Sequence, residues 1–211
     1  YHFIMFFGAL RAGAVLVPFL STYNDEQVLE QIRDSGTKVM VTMDLETVKT
    51  NPTSGKPEVT SFYPSIERLM KRGDLPEDFK VVDCRMQDIL PFPKNILYPL
   101  VKKEQVTSVD RQDPKINANV VSYANFMRND GDYQPVKVTH NDLALLQYTN
   151  GTSSGKPKGV QLTHGNLMSI LESVSANFPM PFGGRIPSFL PMAHIAERMS
   201  THYLAVMGGY E

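Results

Sequence analysis

YHFIMFFGALRAGAVLVPFLSTYNDEQVLEQIRDSGTKVMVT, Tyr1–Thr42, is the stretch that decides the fold class. Tyr1–Ala12 carries a helical apolar pattern, and Gly13 is a natural stop before the short apolar run Val15, Leu16, Val17. That run predicts a buried strand. Asn24 with Gln27 three residues on has capping-box spacing, Val28, Leu29 and Ile32 share one helical face, and Gly36 ends the element. Lys38–Thr42 predicts the next strand. Helix, strand, helix, strand at this spacing predicts an α/β fold with a mainly parallel sheet and flanking helices, because parallel neighbours require a crossover connection.

Working outward, Asn51–Pro57 reads as a polar, turn-rich link, Ile66–Arg72 as a helix and Lys80–Val82 as a further strand. In Ile89–Lys103, ILPFPKNILYPLVKK, three prolines forbid a long regular helix, so a compact irregular segment is expected. Its apolar groups, with Lys94, Lys102 and Lys103, suit either packing against the domain or rest on a membrane surface. Packing is the preferred expectation, because the prolines prevent an amphipathic helix. Asp110–Asn119 and Asn129–Gln134 read as loops.

Composition narrows the classes. With 211 residues and 42% hydrophobic content the chain can bury a real core. A formal net charge of -1 leaves no basic field for a polyanion, so no nucleic-acid partner is expected. One cysteine, Cys84, cannot form an internal disulfide, which favours a cytoplasmic location. Phe3–Leu20 is apolar, but Arg11 lies mid-stretch, where a charge costs roughly 2.5–3.5 kcal/mol in a bilayer, and Gly13 and Pro18 interrupt it. A membrane span is not expected there. Because a helical pattern is already running at Tyr1, the chain is expected to be part of a longer polypeptide.

The chemistry is concentrated where the apolar strand Leu143–Gln147 runs into TNGTSSGKPKGVQLTHGN, Thr149–Asn166. Gly151 and Gly155 let backbone amides approach a ligand closely. Thr149, Thr152, Ser153 and Ser154 add hydroxyls, and Lys156 and Lys158 add positive charge. Donors and cations so grouped suit a polyphosphate. A Walker A loop is excluded, since Asn150 and Pro157 stand where its first glycine and its hydroxyl belong. By composition the same residues also suit a solvated turn. Gly159–Leu162 predicts a second flanking strand, and Thr163 or Asn166 caps a helix with Leu167, Ile170, Leu171 and Val174 on one face. His164 then starts a helix rather than serving chemistry.

The ordered string resembles the phosphate-loop signature of the acyl-adenylate-forming (AMP-binding) superfamily, Tyr-Thr-Ser-Gly-Thr-Thr-Gly-x-Pro-Lys-Gly-Val followed by Leu-Thr-His. Phe6–Thr42 and Leu90–Lys103 ahead of Asp142–Thr149 resemble its long-chain fatty-acid-CoA ligase branch, and Ser188–Gly209, SFLPMAHIAERMSTHYLAVMGG, is similar to its next motif. One departure is that Gly151-Thr-Ser-Ser-Gly155 places three residues between the glycines where the family places two, and Asn150 replaces the usual Ser or Gly.

The resemblance implies that residues 1–211 are part of the large N-terminal domain of an adenylating enzyme, with the C-terminal part and the small C-terminal domain elsewhere. It implies activation of a long-chain fatty acid by ATP and Mg2+ to acyl-AMP, and transfer to coenzyme A. The small-molecule partners are thus ATP, fatty acid and CoA. Thr149, Asn150, Gly151, Thr152, Ser153, Ser154, Gly155 and Lys158 would hold the phosphates, and which of the three central hydroxyls does so is open. His194, after a Leu-Pro pair, would line the adenylate and acyl pocket as the catalytic-site candidate, against the alternative of a packing histidine. Glu197 and Arg198 read as a local ion pair of the exposed sort worth about 0–1 kcal/mol, in preference to a pair that frames the pocket. No metal ligand is assigned to the protein. The other readings are a non-catalytic relative serving as a binding module, and an adenylating enzyme for a different acid.

Overall fold

The computed structural model describes residues 1–20, 23–43, 47–50, 57–60, 62–103, 106, 108–149, 157–177, 182–188, 190 and 192–210. Along the chain the elements are α1 (His2–Arg11), α2 (Asp25–Ser35), β1 (Val39–Met43), β2 (Thr47–Thr50), β3 (Pro57–Thr60), α3 (Phe62–Arg72), β4 (Lys80–Cys84), α4 (Lys94–Val101), α5 (Pro114–Asn119), β5 (Val120–Ser122) and α6 (Tyr123–Phe126). They continue with β6 (Leu143–Tyr148), β7 (Gly159–Thr163), α7 (His164–Asn177), α8 (Ile195–Glu197), a π-helical turn at Arg198–Tyr203 and α9 (Leu204–Gly208). The fold is α/β, with a parallel sheet and flanking helices as expected. The chain divides into two compact units, Ser21–Asp132 and Tyr1–Leu20 with Tyr133–Glu211.

In the unit Ser21–Asp132, β4 lies between β1 and β5, parallel to both, with Val41 opposite Val82 and Val82 opposite Val121. The crossovers are helical. The expected capping box holds the start of α2: the Asn24 side chain accepts from the Gln27 amide at 2.9 Å, and the Gln27 side chain accepts from the Asn24 amide at 3.1 Å. Gly36 closes the helix at φ 65°, a left-handed conformation that a Cβ would strain. Val28 and Ile32 from α2, Ile66 and Leu69 from α3, and Val81 and Val82 from β4 are all buried in this unit. Arg68 clasps Asp25 through two hydrogen bonds of 2.8 and 2.7 Å, which holds the Asp25 carboxyl below its ordinary range.

Two segments of this unit depart from expectation, Asp110–Asn119 and Ile89–Lys103. Asp110–Asn119 is not all loop, because Asp113 accepts from the amides of Lys115 and Ile116 and caps α5, with Pro114 at its first position. The link at Asn51–Pro57 connects β2 and β3, which pair antiparallel; residues 51–56 lie outside the described residues. Ile89–Lys103 is not irregular throughout, since α4 forms with Pro93 before it and Pro99 within its second turn. Nor do its apolar groups pack inward as expected, as Phe92, Ile96, Leu97, Leu100 and Val101 are exposed.

In the other unit, Phe6, Ala144, Leu145, Leu167, Leu171, Tyr203 and Leu204 form one buried cluster. Val15–Val17 does not form the buried strand its composition predicts. Only Leu16 pairs, in a parallel bridge to Leu145, donating to the Ala144 carbonyl at 3.0 Å and accepting from the Leu146 amide at 2.8 Å. Pro18 follows, and its lack of an N–H stops the ladder from continuing. No described helix is long and apolar enough to cross a membrane.

Candidate functional site

Strands β6 and β7 pair antiparallel, with Gln147 opposite Val160 and Tyr148 opposite Gly159. The apolar run Leu143–Leu146 and the branched Val160 suit paired strands, and the intervening glycines, hydroxyls and Pro157 do not. The ladder continues one residue past the strands. The Thr149 amide donates to the Lys158 carbonyl at 3.0 Å, and the Lys158 amide donates back to the Thr149 hydroxyl at 3.3 Å. Both side chains are exposed. The mouth of the loop is thereby closed at a fixed width, as two flanking strands predict. Asn150, Gly151, Thr152, Ser153, Ser154 and Gly155 lie outside the described residues.

Gly159 is tightly packed at this mouth, and its backbone angle is one that any residue adopts. A Cβ there would stand 3.2 Å from Cζ of the buried Tyr148 ring, so the ring or the strand would have to give by a few tenths of an ångström. Beyond β7, Thr163 and Asn166 form a reciprocal cap. The Thr163 amide donates to Asn166 Oδ1 at 3.0 Å and the Asn166 amide to Thr163 Oγ1 at 3.2 Å. His164 is the first residue of α7, as expected. Leu167 and Leu171 face the core, but Ile170 is exposed, which narrows the predicted apolar face.

His194 stands immediately before α8 and is exposed, so it is not a buried packing residue. The residues just before it are tied to β6 by a network the sequence does not reveal. Gln147 donates from Nε2 to the Ala193 carbonyl at 3.3 Å, and its Oε1 accepts from Arg198. Arg198 also donates to the Met192 carbonyl at 2.6 Å and to the Tyr203 hydroxyl at 3.2 Å. The guanidinium is fully buried, and that burial pushes its pKa down, against the pull of Tyr203. Structure thus brings Thr149 and Lys158 together and fixes the residue before His194 to the strand that leads into Thr149.

The expectation of an exposed Glu197–Arg198 pair is corrected: both are buried and hold different partners. The Glu197 carboxylate accepts from the Ser188 hydroxyl at 2.6 Å, the Thr201 hydroxyl at 2.7 Å and the Leu190 amide at 3.3 Å. Two adjacent charges can both turn inward here because α8 runs directly into the π-helical turn, where Arg198, Thr201, His202 and Tyr203 are all buried. His202 is the further finding. Its ring lies 4.0 Å from Phe3 and 5.0 Å from each of Phe6, Phe7 and His2, and neither ring nitrogen has a hydrogen-bond partner among the described residues. Burial first, then the charges of His2 and Arg198, push its pKa from 6.5 to about 4.

A cavity of about 760 Å³ lies in the unit Ser21–Asp132, lined by Asp83, Arg85, Arg111 and Ser122 among others; none of the described candidate residues, Thr149, Lys158 and His194, lines it. Among the described residues no group of three or more His, Cys, Asp or Glu side chains is placed to hold a metal ion.

The family model described as AMP-binding enzyme matches residues 1–211. The long-chain-fatty-acid–CoA ligase of Bacillus subtilis is 32% identical over 213 residues, covering 99% of this chain and 34% of the ligase. The ligase of the same name from Escherichia coli O157:H7 is 30% identical over 198 residues, covering 91% of this chain and 31% of its own length. The chain therefore spans about a third of the length of these curated relatives. Among solved structures, the N-terminal domain of FACL13 from Mycobacterium tuberculosis aligns with a TM-score of 0.57 at 20% identity, over 98% of this chain and 38% of that one. ATP-bound MatB from Rhodopseudomonas palustris aligns with a TM-score of 0.60 at 17% identity, over 98% of this chain and 31% of that one. At such identities these likenesses establish the fold. Taken with the family match along its whole length, they show that the chain belongs to the AMP-binding enzyme family.

Proposed function

We propose that this chain is the phosphate-holding part of a ligase that activates a long-chain fatty acid with ATP and passes the acyl group to coenzyme A. A carboxylate oxygen attacks the α-phosphorus, the bond to pyrophosphate breaks, and acyl-AMP forms. The CoA thiolate then attacks the acyl carbonyl and AMP leaves. In this reading Thr149, Asn150, Gly151, Thr152, Ser153, Ser154, Gly155 and Lys158 surround the β- and γ-phosphates, and His194 lines the adenylate and acyl pocket. Magnesium bound together with the nucleotide would supply charge neutralisation there. The protein contributes positioning and donors rather than a nucleophile.

The observation that carries the reading is the double hydrogen bond between Thr149 and Lys158 at the mouth of the loop. A loop whose two ends are tied before a ligand arrives costs less to order on binding, and a polyphosphate needs several donors at once. Exposed Lys158 adds a point charge at that mouth. The three-residue spacing between Gly151 and Gly155 favours the second reading, a relative that binds nucleotide without turnover. Since the chain spans about a third of its relatives, we also propose that residues 1–211 alone do not complete the reaction.

The test is a titration of the full-length polypeptide with ATP and magnesium. Lys158→Ala is expected to weaken binding by at least about tenfold, the loss of one charge-assisted hydrogen bond. Unchanged binding would overturn the reading. Acid-dependent exchange of pyrophosphate into ATP, compared for palmitate, short acids and amino acids, separates the ligase from the silent module and identifies the acid.

A further inference from the structure

Helix α4 wears its apolar residues on the outside. Ile96, Leu97, Leu100 and Val101 recur at the spacing of one helical face, and all are exposed, Leu100 and Val101 at 73%. Phe92, just before the helix, is 78% exposed, while Asn95, Tyr98 and Pro99 take the half-buried side. A surface helix ordinarily does the reverse, and a contiguous exposed apolar patch marks an interaction site.

Cations outnumber acids along this segment. Lys94 opens the helix and Lys102 and Lys103 follow its last turn, all three exposed. Arg85–Lys103 carries four cations and one carboxylate, Asp88, which Arg85 already binds through two hydrogen bonds of 3.2 Å. The next acid along the chain is Glu104. Along Arg85–Glu104 the sequence therefore carries four cations and two acids, in a chain whose net charge is -1.

We infer that Ile89–Lys103 is an interfacial patch that seats the protein on an anionic phospholipid surface. Aliphatic side chains and Phe92 enter the acyl-chain boundary, and the lysines reach back along their stems to headgroup phosphates. A second copy of the chain is a poorer occupant, because pairing this face with itself sets lysine against lysine. The inference stands apart from the ligase reading, since it is read by lipid binding and not by turnover.

The test is co-sedimentation of the full-length polypeptide with vesicles of phosphatidylcholine, alone or mixed with phosphatidylglycerol. Binding is expected to the mixed vesicles only, and to weaken as salt is raised. Leu100→Ser with Val101→Ser, and separately Lys94→Glu with Lys102→Glu and Lys103→Glu, are each expected to lower that binding at least about tenfold. The substituted positions are exposed, so the thermal midpoint and the ATP titration are expected to stay unchanged. Failure of the unsubstituted protein to bind mixed vesicles overturns the inference, as does binding that survives both sets of substitutions. So does a dimer that Leu100→Ser with Val101→Ser dissociates, in a protein that ignores lipid.

Discussion

Gln147 bridges the buried guanidinium of Arg198 and the carbonyl of Ala193, so one amide joins the strand entering the candidate loop to the residue before His194. Arg198 makes the larger contribution to this junction, because it also satisfies the Met192 carbonyl and the Tyr203 hydroxyl. Replacing it by Ala strands several polar groups in the core. Arg198→Ala is expected to cost about 2–5 kcal/mol, and Gln147→Ala about 1–3 kcal/mol. Urea denaturation checks both, and a midpoint for Arg198→Ala within experimental error of the parent refutes the account. Arg198→Lys keeps the charge without the fork and is expected to fall between parent and Ala.

At the mouth of the loop, Gly159→Ala places a methyl group 3.2 Å from the Tyr148 ring. The ring is buried, so the strain is expected to cost about 1–3 kcal/mol and to disturb the Thr149–Lys158 closure. Under the proposed function, ATP affinity falls as well. Thermal melting and nucleotide titration of the same variant read the two effects separately, and full stability in Gly159→Ala contradicts the packing argument.

His202 makes stability depend on pH. Its folded pKa is depressed from 6.5 to about 4, so the unfolded chain binds the extra proton first as pH falls. Stability is full above pH 6.5, declines between there and about 4, and levels off below. The total loss is on the order of 2–3 kcal/mol, because each tenfold change in proton affinity is worth about 1.4 kcal/mol and solvent screening trims the sum. His2, also depressed by burial, adds in the same direction, whereas Asp25 acts only at lower pH. His202→Phe removes two unpartnered buried nitrogens from an aromatic nest and is expected to match or exceed the parent in stability. It is also expected to flatten the decline. A profile for His202→Phe as steep as the parent's refutes the assignment.

The capping box at α2 is local and separable from the site. Asn24→Ala is expected to lower stability by about 1 kcal/mol, the usual value of such a cap, with ATP binding unchanged. Denaturant titration measures it, and Gln27→Ala, which removes the reciprocal half, is expected to cost less.

Features legible in the sequence are those whose physics is local. Asn24 with Gln27, Gly36, and Thr163 with Asn166 are caps formed within a few residues, and each stands where its spacing predicts. The strands flanking Thr149–Lys158 are legible for the same reason, as apolar runs on either side of turn-forming residues. Asp113-Pro114 is a local helix-start signal too, but the polar composition of Asp110–Asn119 outweighs it in a composition-based reading.

By itself, then, the sequence determined the α/β class, the caps and the chemical character of the loop, since backbone preference and short-range hydrogen bonding act between neighbours in the chain. Tertiary structure decided what lies inside. Arg198 pairs with Gln147 across 51 residues, and His202 sits against Phe3 and Phe6 from the opposite end of the chain. Leu100 and Val101 look like core residues in composition yet face outward. Burial of a charge or exposure of an aliphatic group depends on which distant surfaces meet, and no spacing within a short segment encodes that.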